Sequence, residues 1–551
     1  MQTIFLFLIF GIILATPKLH AAEKDSVTIG IVEKIDNLNP ILGKSSAAKY
    51  VHQIYSKPLT YLDDNWKLVC GLCEKIPTIA DGSARIIEQK KKKFLRADWK
   101  IKENIFWSDG QPVTGFDVFK TWIIASYPKT EPNTAAFANI RKIIVNKKNP
   151  RKFTIEYEKI KSNFDSLGFH VLPEHIEGAV FDEDPDNYRQ NTTYNVAPTK
   201  KGLFNAGFSL TKKELPYQLA FERTLKNKKK LNYVTVVYYN SSQKVMTALQ
   251  QNKIEMISAV GITPDDLVYF KDTFTNSKEL SEKYSIELST SEVFEHLDLN
   301  LRNPGLANSN VRKALSYAIN TEELIAESLN IPAETAETFL HSNDQFYVAE
   351  SVSPKFDLKL AKKLLEASGW KLLKNGSRSK ANKILSLPLV TTEGDEFRLR
   401  VAHYLVKQWA KIGVRVELEL QKNSEFFDET LKKAHFKGFI MYAWLTVPNE
   451  SPRTMFYSNE IPTVQNGYTG QNAMGWINKS VDEILENYIS ELDFDTRKKM
   501  MLALEAEYLN DVPSIPLYWH PRGSIVPKDM KNYKLSTIEA QSTLTIDNWS
   551  Y

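Results

Sequence analysis

Residues 233–257 read YVTVVYYNSSQKVMTALQQNKIEMI, and this stretch decides the class of fold. YVTVVYY (233–239) is β-branched and aromatic, as a strand requires. SSQKVMTALQQNKIEMI (241–257) then reads as a helix followed by a short strand, with Ser241 placed to cap the helix N-terminus. Strand, helix and strand in such close order form the unit of a sheet covered by helices. The alternation resumes in EHLDLNLR (295–302), NSNVRKALSYAIN (308–320) and FDLKLAKKLLEASGW (356–370), and again in LSLPLVTTEG, FRLRVAHYLVKQWAKIG and VRVELELQ. Upstream, SVTIGIV (26–32) is a strand, NLNPIL (37–42) a turn, and SAAKYVHQIYSKPLTYL (46–62) carries a short amphipathic helix. No fixed-period repeat or low-complexity linker divides these segments, so interlocked lobes are expected.

Between them, residues 65–190 read as one α+β lobe, with strand-like segments ARIIEQ, KKFLRADWKI and KFTIEYE (152–158). Within it lies WSDGQPVTGFDVFKTW (107–122). Asp109-Gly110 is a turn signal, and a strand is expected to end at Trp107. Thr114 followed by Asp117 is a variant capping box that starts a helix at Gly115, whose Val118, Trp122 and Ala125, with Phe119 beside them, form the buried face. This is scaffold, without a nucleophile or a set of metal ligands.

The chain has 551 residues, more than one hydrophobic core serves, so two or three lobes are expected. Charged residues at 25% and apolar ones at 42% argue against disorder and against a multi-span membrane protein. The apolar run IFLFLIFGIILA (4–15) is too short to span a bilayer comfortably; with Pro17 after it and small residues at Ala21 and Ala22, it reads as a secretory signal cut after Ala21. No cysteine near that cut suggests a lipid anchor, so a soluble periplasmic protein is expected. The net charge of +5 is a weak basic excess. The runs QKKKKF (89–94) and KNKKK (226–230) lack interleaved aromatics, which favours solvated loops over nucleic-acid contacts. Both cysteines lie in KLVCGLCEK, as Cys70 and Cys73. A local structural bridge is favoured, with free thiols and a redox pair left open.

Taken together, these stretches resemble the extracellular solute-binding proteins of peptide-type ABC importers, the oligopeptide- and dipeptide-binding group. The carriers are NLNPIL, WSDGQPVTGFDVFKTW, SNVRKALSYAINTEELI (309–325), FDLKLAKKLLEASGW, WAKIGVRVELEL (409–420) and DVPSIPLYWH (511–520). The resemblance implies an α/β chain with a two-lobed periplasmic-binding protein type II fold and an extra α+β domain. After the signal peptide 1–21, lobe I is expected to comprise 22–64, 195–290 and 512–551, the extra domain 65–194, and lobe II 291–511. Residues 107–122 become framework of the extra domain. Arg312 becomes a helix residue in local ion pairs rather than a ligand clamp.

In such receptors the ligand is held between the lobes largely through its backbone, as an added strand. Relatives carry a Gly-Trp segment followed by an aspartate that pairs with the peptide amine. The corresponding stretch here is AWLTVPNESP (443–452), in which Trp444 matches the tryptophan, Val447 stands in the aspartate's place, and Glu450 is the nearest acid. The expected ligand contacts are Trp444, Leu445, Thr446, Asn449 and Glu450, with Tyr518 and Trp519 from the strand SIPLYWH as aromatic walls; His520 is read equally as a hinge histidine. The buried-core reading of Trp444 stays beside the ligand reading. The resemblance implies a monomeric receptor that takes an oligopeptide to membrane permease subunits, with no cofactor, no metal, no nucleic acid and no catalytic residue. The variant is the same fold carrying a metal chelate, haem, sugar or opine, which the lost aspartate favours. The competing class is a secreted hydrolase. Against it, the chain has no GxSxG, HExxH or P-loop, and its paired acids Asp63/Asp64 and Asp182/Asp184 sit in turn-like sequence.

Overall fold

The computed structural model describes residues 24–214, 218–348, 355–448 and 450–551. The apolar run, the cut after Ala21 and Asn449 therefore lie outside the described residues. The stretch 233–257 folds as strand Tyr233–Tyr238, helix Ser242–Gln250 and strand Met256–Ile257, and the Ser241 hydroxyl accepts from the Lys244 amide at 3.3 Å. Its two strands do not pair with each other. Ser26–Ile31 slots between them, parallel to both, so a segment from the start of the chain completes the unit.

That unit is part of an eleven-stranded sheet. From one edge its order is Arg415–Gln421, Ser386–Thr392, Phe439–Leu445, Tyr284–Leu299, Ser514–Pro527, Met256–Ile257, Ser26–Ile31, Tyr233–Tyr238, Gln218–Arg223 and Phe208–Glu214, with Glu334–Thr335 added beside Ser514–Pro527. Two of these strands are exceptionally long, Tyr284–Leu299 with 16 residues and Ser514–Pro527 with 14. They run antiparallel and carry the sheet from lobe I, around Ser26–Ile31, to lobe II, around Phe439–Leu445. Their pairing slips between Thr290 and Phe294 and again between Glu295 and His296. From sequence only 295–302 and 514–520 of the crossing strands read as strands, and in the second the chain continues through Pro521 and Gly523. Pro521 sits opposite Thr290, at the edge of the slip, where a missing N–H costs the ladder little.

The extra domain is an antiparallel sheet in the order Ala84–Gln89, Lys92–Lys100, Lys152–Tyr157, Ile140–Val145. Helix Gly115–Ser126 starts where expected: Thr114 Oγ1 accepts from the Phe116 amide and Asp117 Oδ2 accepts from the Thr114 amide at 2.7 Å. Trp107 does not end a strand. The preceding strand stops at Lys100, and Phe106 makes only an isolated bridge to Pro112, because the chain turns back at once through the Trp107 amide to the Gln111 carbonyl at 2.8 Å. The buried Trp107 ring instead donates from Nε1 to Asp117 at 3.2 Å. Ile29 and Val51 of lobe I share one continuous core with Trp99 and Phe153, so the extra domain is welded to that lobe. Cys70 and Cys73 are joined in a disulfide, their Cα atoms 5.0 Å apart.

Arg312 corrects another expectation. It is structural, yet it forms no carboxylate pair: its guanidinium donates to the carbonyls of Asp511 and Val512 (2.7 and 3.1 Å) and of Leu306 and Ala307 (2.8 and 3.0 Å). A buried fork with five donors can be satisfied by carbonyls alone, and here it ties the start of the second crossing strand to lobe II. Among the described residues no helix is long and apolar enough to cross a membrane.

Candidate functional site

Where the crossing strands slip, side chains from both lobes meet. Strand Phe439–Leu445 lies beside Tyr284–Leu299, with Trp444 opposite Phe294 and Tyr442 opposite His296. The second crossing strand sets Trp519 opposite Phe294 from the other side. Because same-face neighbours on adjacent strands are in reach, these registers build a row of rings. Trp444 meets Tyr442 edge-on at 6.3 Å, Tyr442 meets His296 at 4.4 Å, His296 meets Phe294 at 4.9 Å, and Phe294 meets Trp519 at 5.1 Å. His341 continues the row edge-on to Trp519 at 4.6 Å and stacks on Trp66 at 4.4 Å.

Trp66 is the far end of that row and was not singled out from the sequence. It occupies the tip of the hairpin between Thr60–Leu62 and Leu68–Cys70, with φ +57°, and it is 1% exposed. Its Nε1 donates to Thr537 at 2.9 Å, while the Asp64 carbonyl beside it accepts from Asn343 at 3.2 Å and the Asp64 carboxylate pairs with Lys534 at 3.1 Å. A hairpin at the join of lobe I and the extra domain thus reaches lobe II. His341 is held neutral, because burial pulls it down to about 4. A lone tryptophan in a turn and a lone histidine in a loop gave no periodic signal that could have paired them.

Charged groups flank the row. Glu292 lies in the slipped segment; its carbonyl accepts from the Thr446 amide at 2.9 Å, its Oε1 from the Glu539 amide at 2.8 Å, and Arg522 stands 3.6 Å from Oε2. Burial pushes its carboxyl up, with Arg522 opposing. Glu295, one step further, accepts from Arg398 Nε at 2.7 Å and Nη2 at 3.1 Å and is 2.9 Å from His520 Nε2. Burial opposes its ionisation, yet Arg398 and His520 outweigh it and hold the carboxyl down at about 2. His520 is thus engaged with Glu295, its ring stacked on Tyr518.

The expected contact residues fall into distinct settings. Trp444 is half-buried between two lobe II clusters, Leu445 is 55% exposed, and Thr446 is tied to Glu292. Glu450 is exposed, and its Oε1 accepts from Asn163 of the extra domain at 2.9 Å, spanning the gap between that domain and lobe II. Trp519 is buried within the ring row. Tyr518 is buried on the opposite side of its strand, in the core that holds Leu517 and Ile515, so it supports the wall from behind. Asn449 lies outside the described residues. From Tyr442 to Trp66 the rings are buried against one another, so the row is a packed seam between the lobes, and its surface for a ligand is the half-buried Trp444 with the exposed Leu445 at one end. Among the described residues no three His, Cys, Asp or Glu side chains group as metal ligands.

The model of bacterial extracellular solute-binding proteins, family 5 Middle, matches residues 88–463. The oligopeptide-binding protein OppA of Lactococcus lactis subsp. cremoris (strain SK11) is 25% identical over 399 residues, covering 67% of this chain and 63% of the relative, so the chain matches less than two thirds of that relative's length. The oligopeptide-binding protein of Thermus thermophilus, solved with a pentapeptide, superposes with a TM-score of 0.63 at 21% identity, over 96% of each chain. NikA from Brucella suis, solved with Fe(III)-EDTA, superposes with a TM-score of 0.72 at 18% identity, over 96% of this chain and 100% of that one. The shared architecture is the two-lobed type II fold of periplasmic binding proteins with an extra domain.

Proposed function

The chain belongs to the bacterial extracellular solute-binding proteins of family 5, and from that premise we propose that it is the capture receptor of an ABC importer, taking oligopeptides between its lobes and delivering them to permease subunits in the membrane. The observation that carries the reading is the ring row from Trp444 to Trp66, which joins both lobes at the slip of the two crossing strands and leaves Trp444 half-buried at its open end. On this reading the exported, monomeric receptor closes about the strands that connect 22–64, 195–290 and 512–551 with 291–511. An extended peptide would lie across the open end of the row, its side chains packing on Trp444 and Leu445. Glu450 is the candidate partner of the peptide amine.

One observation favours a non-peptide solute: Glu450 already accepts from Asn163, so a free amine would have to compete for it. A metal chelate, haem, sugar or opine needs no such partner. Thermal shift against peptide and non-peptide libraries separates the two readings, since a ligand of the folded state raises the melting temperature with concentration. For peptides, Trp444→Ala is expected to weaken binding by roughly 1–3 kcal/mol. Glu450→Gln should weaken free peptides far more than N-acetylated ones; equal effects would remove Glu450 from the anchor role. Melting shifts from another solute class alone would replace the peptide reading.

A further inference from the structure

A cavity of about 490 Å³ opens between the extra domain and lobe II, within the roughly 300–1,000 Å³ of small-ligand sites. One wall is formed by Pro77–Ala80 and by 162–166 of the extra domain, the other by Gln345, 492–494 and Arg497 of lobe II. Two large apolar side chains stay in water on its facing walls, Ile79 at 42% and Phe494 at 40% exposed. The rim is closed by the Ser162 amide donating to the Ile489 carbonyl at 2.8 Å and by the Asn163–Glu450 bond.

Opposite charges line this cavity from opposite domains without pairing. Arg497 Nε is buried and lacks a hydrogen-bond partner, and the guanidinium rests near the rings of Phe346 and Phe494, 5.6 and 5.9 Å away. The buried Tyr488 hydroxyl faces this guanidinium, a neutral partner rather than a carboxylate. Across the gap, the Asp165 carboxyl has only the backbone amides of Asp165 and Ser166 as donors and feels Arg497 through space; burial pushes it up to about 6. The other charged group on the walls, Asp493, caps helix Phe494–Asp511 through the Thr496 amide at 2.8 Å and feels Arg497 only through space. An arginine without its carboxylate and an aspartate without its cation, set on two sides of one cavity, call for a molecule that brings both charges.

We propose that this cavity is a separate station for a small zwitterion, a free amino acid or a dipeptide with both ends unblocked. Its carboxylate takes the fork of Arg497, its ammonium takes Asp165, and its apolar side chain covers Ile79 and Phe494. The inference rests on the capture reading only in that the chain binds a solute; it uses neither Trp444 nor the ring row. A ligand here bridges the extra domain and lobe II.

The test is calorimetric titration of the full chain with the dipeptide Ala-Phe, its N-acetyl form and its C-terminal amide. Each blocked form is expected to bind at least about tenfold more weakly, the cost of one charged hydrogen-bonded contact. Arg497→Gln should lose at least about tenfold for Ala-Phe and stop distinguishing acid from amide, and Asp165→Asn should stop distinguishing free from acetylated amine. Trp444→Ala should leave Ala-Phe affinity unchanged. Should Arg497→Gln or Asp165→Asn fail to fold, the three forms titrated against Glu450→Gln keep the test, since the capture site then no longer distinguishes the free from the acetylated amine. No binding of Ala-Phe, or equal binding of all three forms, overturns the station. Long peptides that bind through Trp444 while Ala-Phe does not would remove the station and leave the capture reading. Arg497-dependent binding of Ala-Phe with no long peptide bound would do the reverse.

Discussion

Glu295→Gln is the substitution on which the account of the hinge is most exposed. Glu295 is 1% exposed and carries Arg398 on both oxygens and His520 on one. Its carboxyl is held at about 2 instead of the ordinary 4.5. A displacement of that size, at 1.36 kcal/mol per unit, corresponds to about 3 kcal/mol of stability. The carboxyl is depressed in the fold, so this contribution is fully present above pH 4.5 and is lost as pH falls through about 2. Glutamine keeps the shape and removes the charge, leaving Arg398 with Thr392 at 2.8 Å and Asp395 at 3.5 Å. Breaking one side of a buried pair costs about 3–5 kcal/mol, which brackets the figure from titration. Urea unfolding followed by tryptophan fluorescence should therefore show the variant about 3 kcal/mol less stable at pH 7, with the difference narrowing steadily below pH 4.5. A loss under about 1 kcal/mol at neutral pH, or one that does not narrow in acid, would refute the reasoning.

Three further outcomes follow from the same geometry. Trp66→Ala should cost about 3–5 kcal/mol in urea unfolding and Trp66→Phe, which keeps a ring against His341 but loses the bond to Thr537, about 1 kcal/mol more than a neutral change; equal losses would mean that the hydrogen bond, not the stack, holds the hairpin tip. Burial holds His52 near about 4 and His170 near about 3 against an ordinary 6.5. Both stay neutral in the fold, so stability is present above pH 6.5 and falls with acid; His52→Asn with His170→Asn should flatten the slope between pH 6.5 and 4.5 by up to about 1.4 kcal/mol per unit for each histidine, and an unchanged slope would place the acid sensitivity elsewhere. Replacing Cys70 and Cys73 by serine should leave ligand affinity within about a few-fold, since the loop closed is short; abolished binding would give that loop a larger part.

What could be read from the sequence was local. Ser241 and Thr114 announce their helices because a cap acts over three residues, and the alternation of strand and helix reaches the fold class without any long-range pairing. The crossing strands were half hidden, since Pro521 argues against a strand until the slip opposite Thr290 is seen. The candidate site was legible only at Trp444, through family resemblance. Trp66, His341, Asp165 and Arg497 come from four separate segments and carry no shared spacing; only the closing of the sheet and the docking of the extra domain bring them together. Arg312 misled for a related reason: a basic residue on a helix suggests an acidic neighbour, and carbonyls as partners leave no trace in composition.

The two slips in the crossing strands also have a mechanical meaning. A sheet resists bending across its ladder because each rung is a hydrogen bond that must stretch, and here the rungs to Ser514–Pro527 are missing between Thr290 and Phe294, while the pairing with Phe439–Leu445 begins only at Val293. That gap acts like a scored line in a stiff plate: torque applied to either half is taken up there, at little elastic cost, while the rungs on each side stay intact. Ser291, Glu292 and Val293 should then be the residues whose backbone angles differ most between open and closed forms, and their amides should exchange with solvent well before those of the flanking stretches Ile286–Ser289 and Leu297–Leu299.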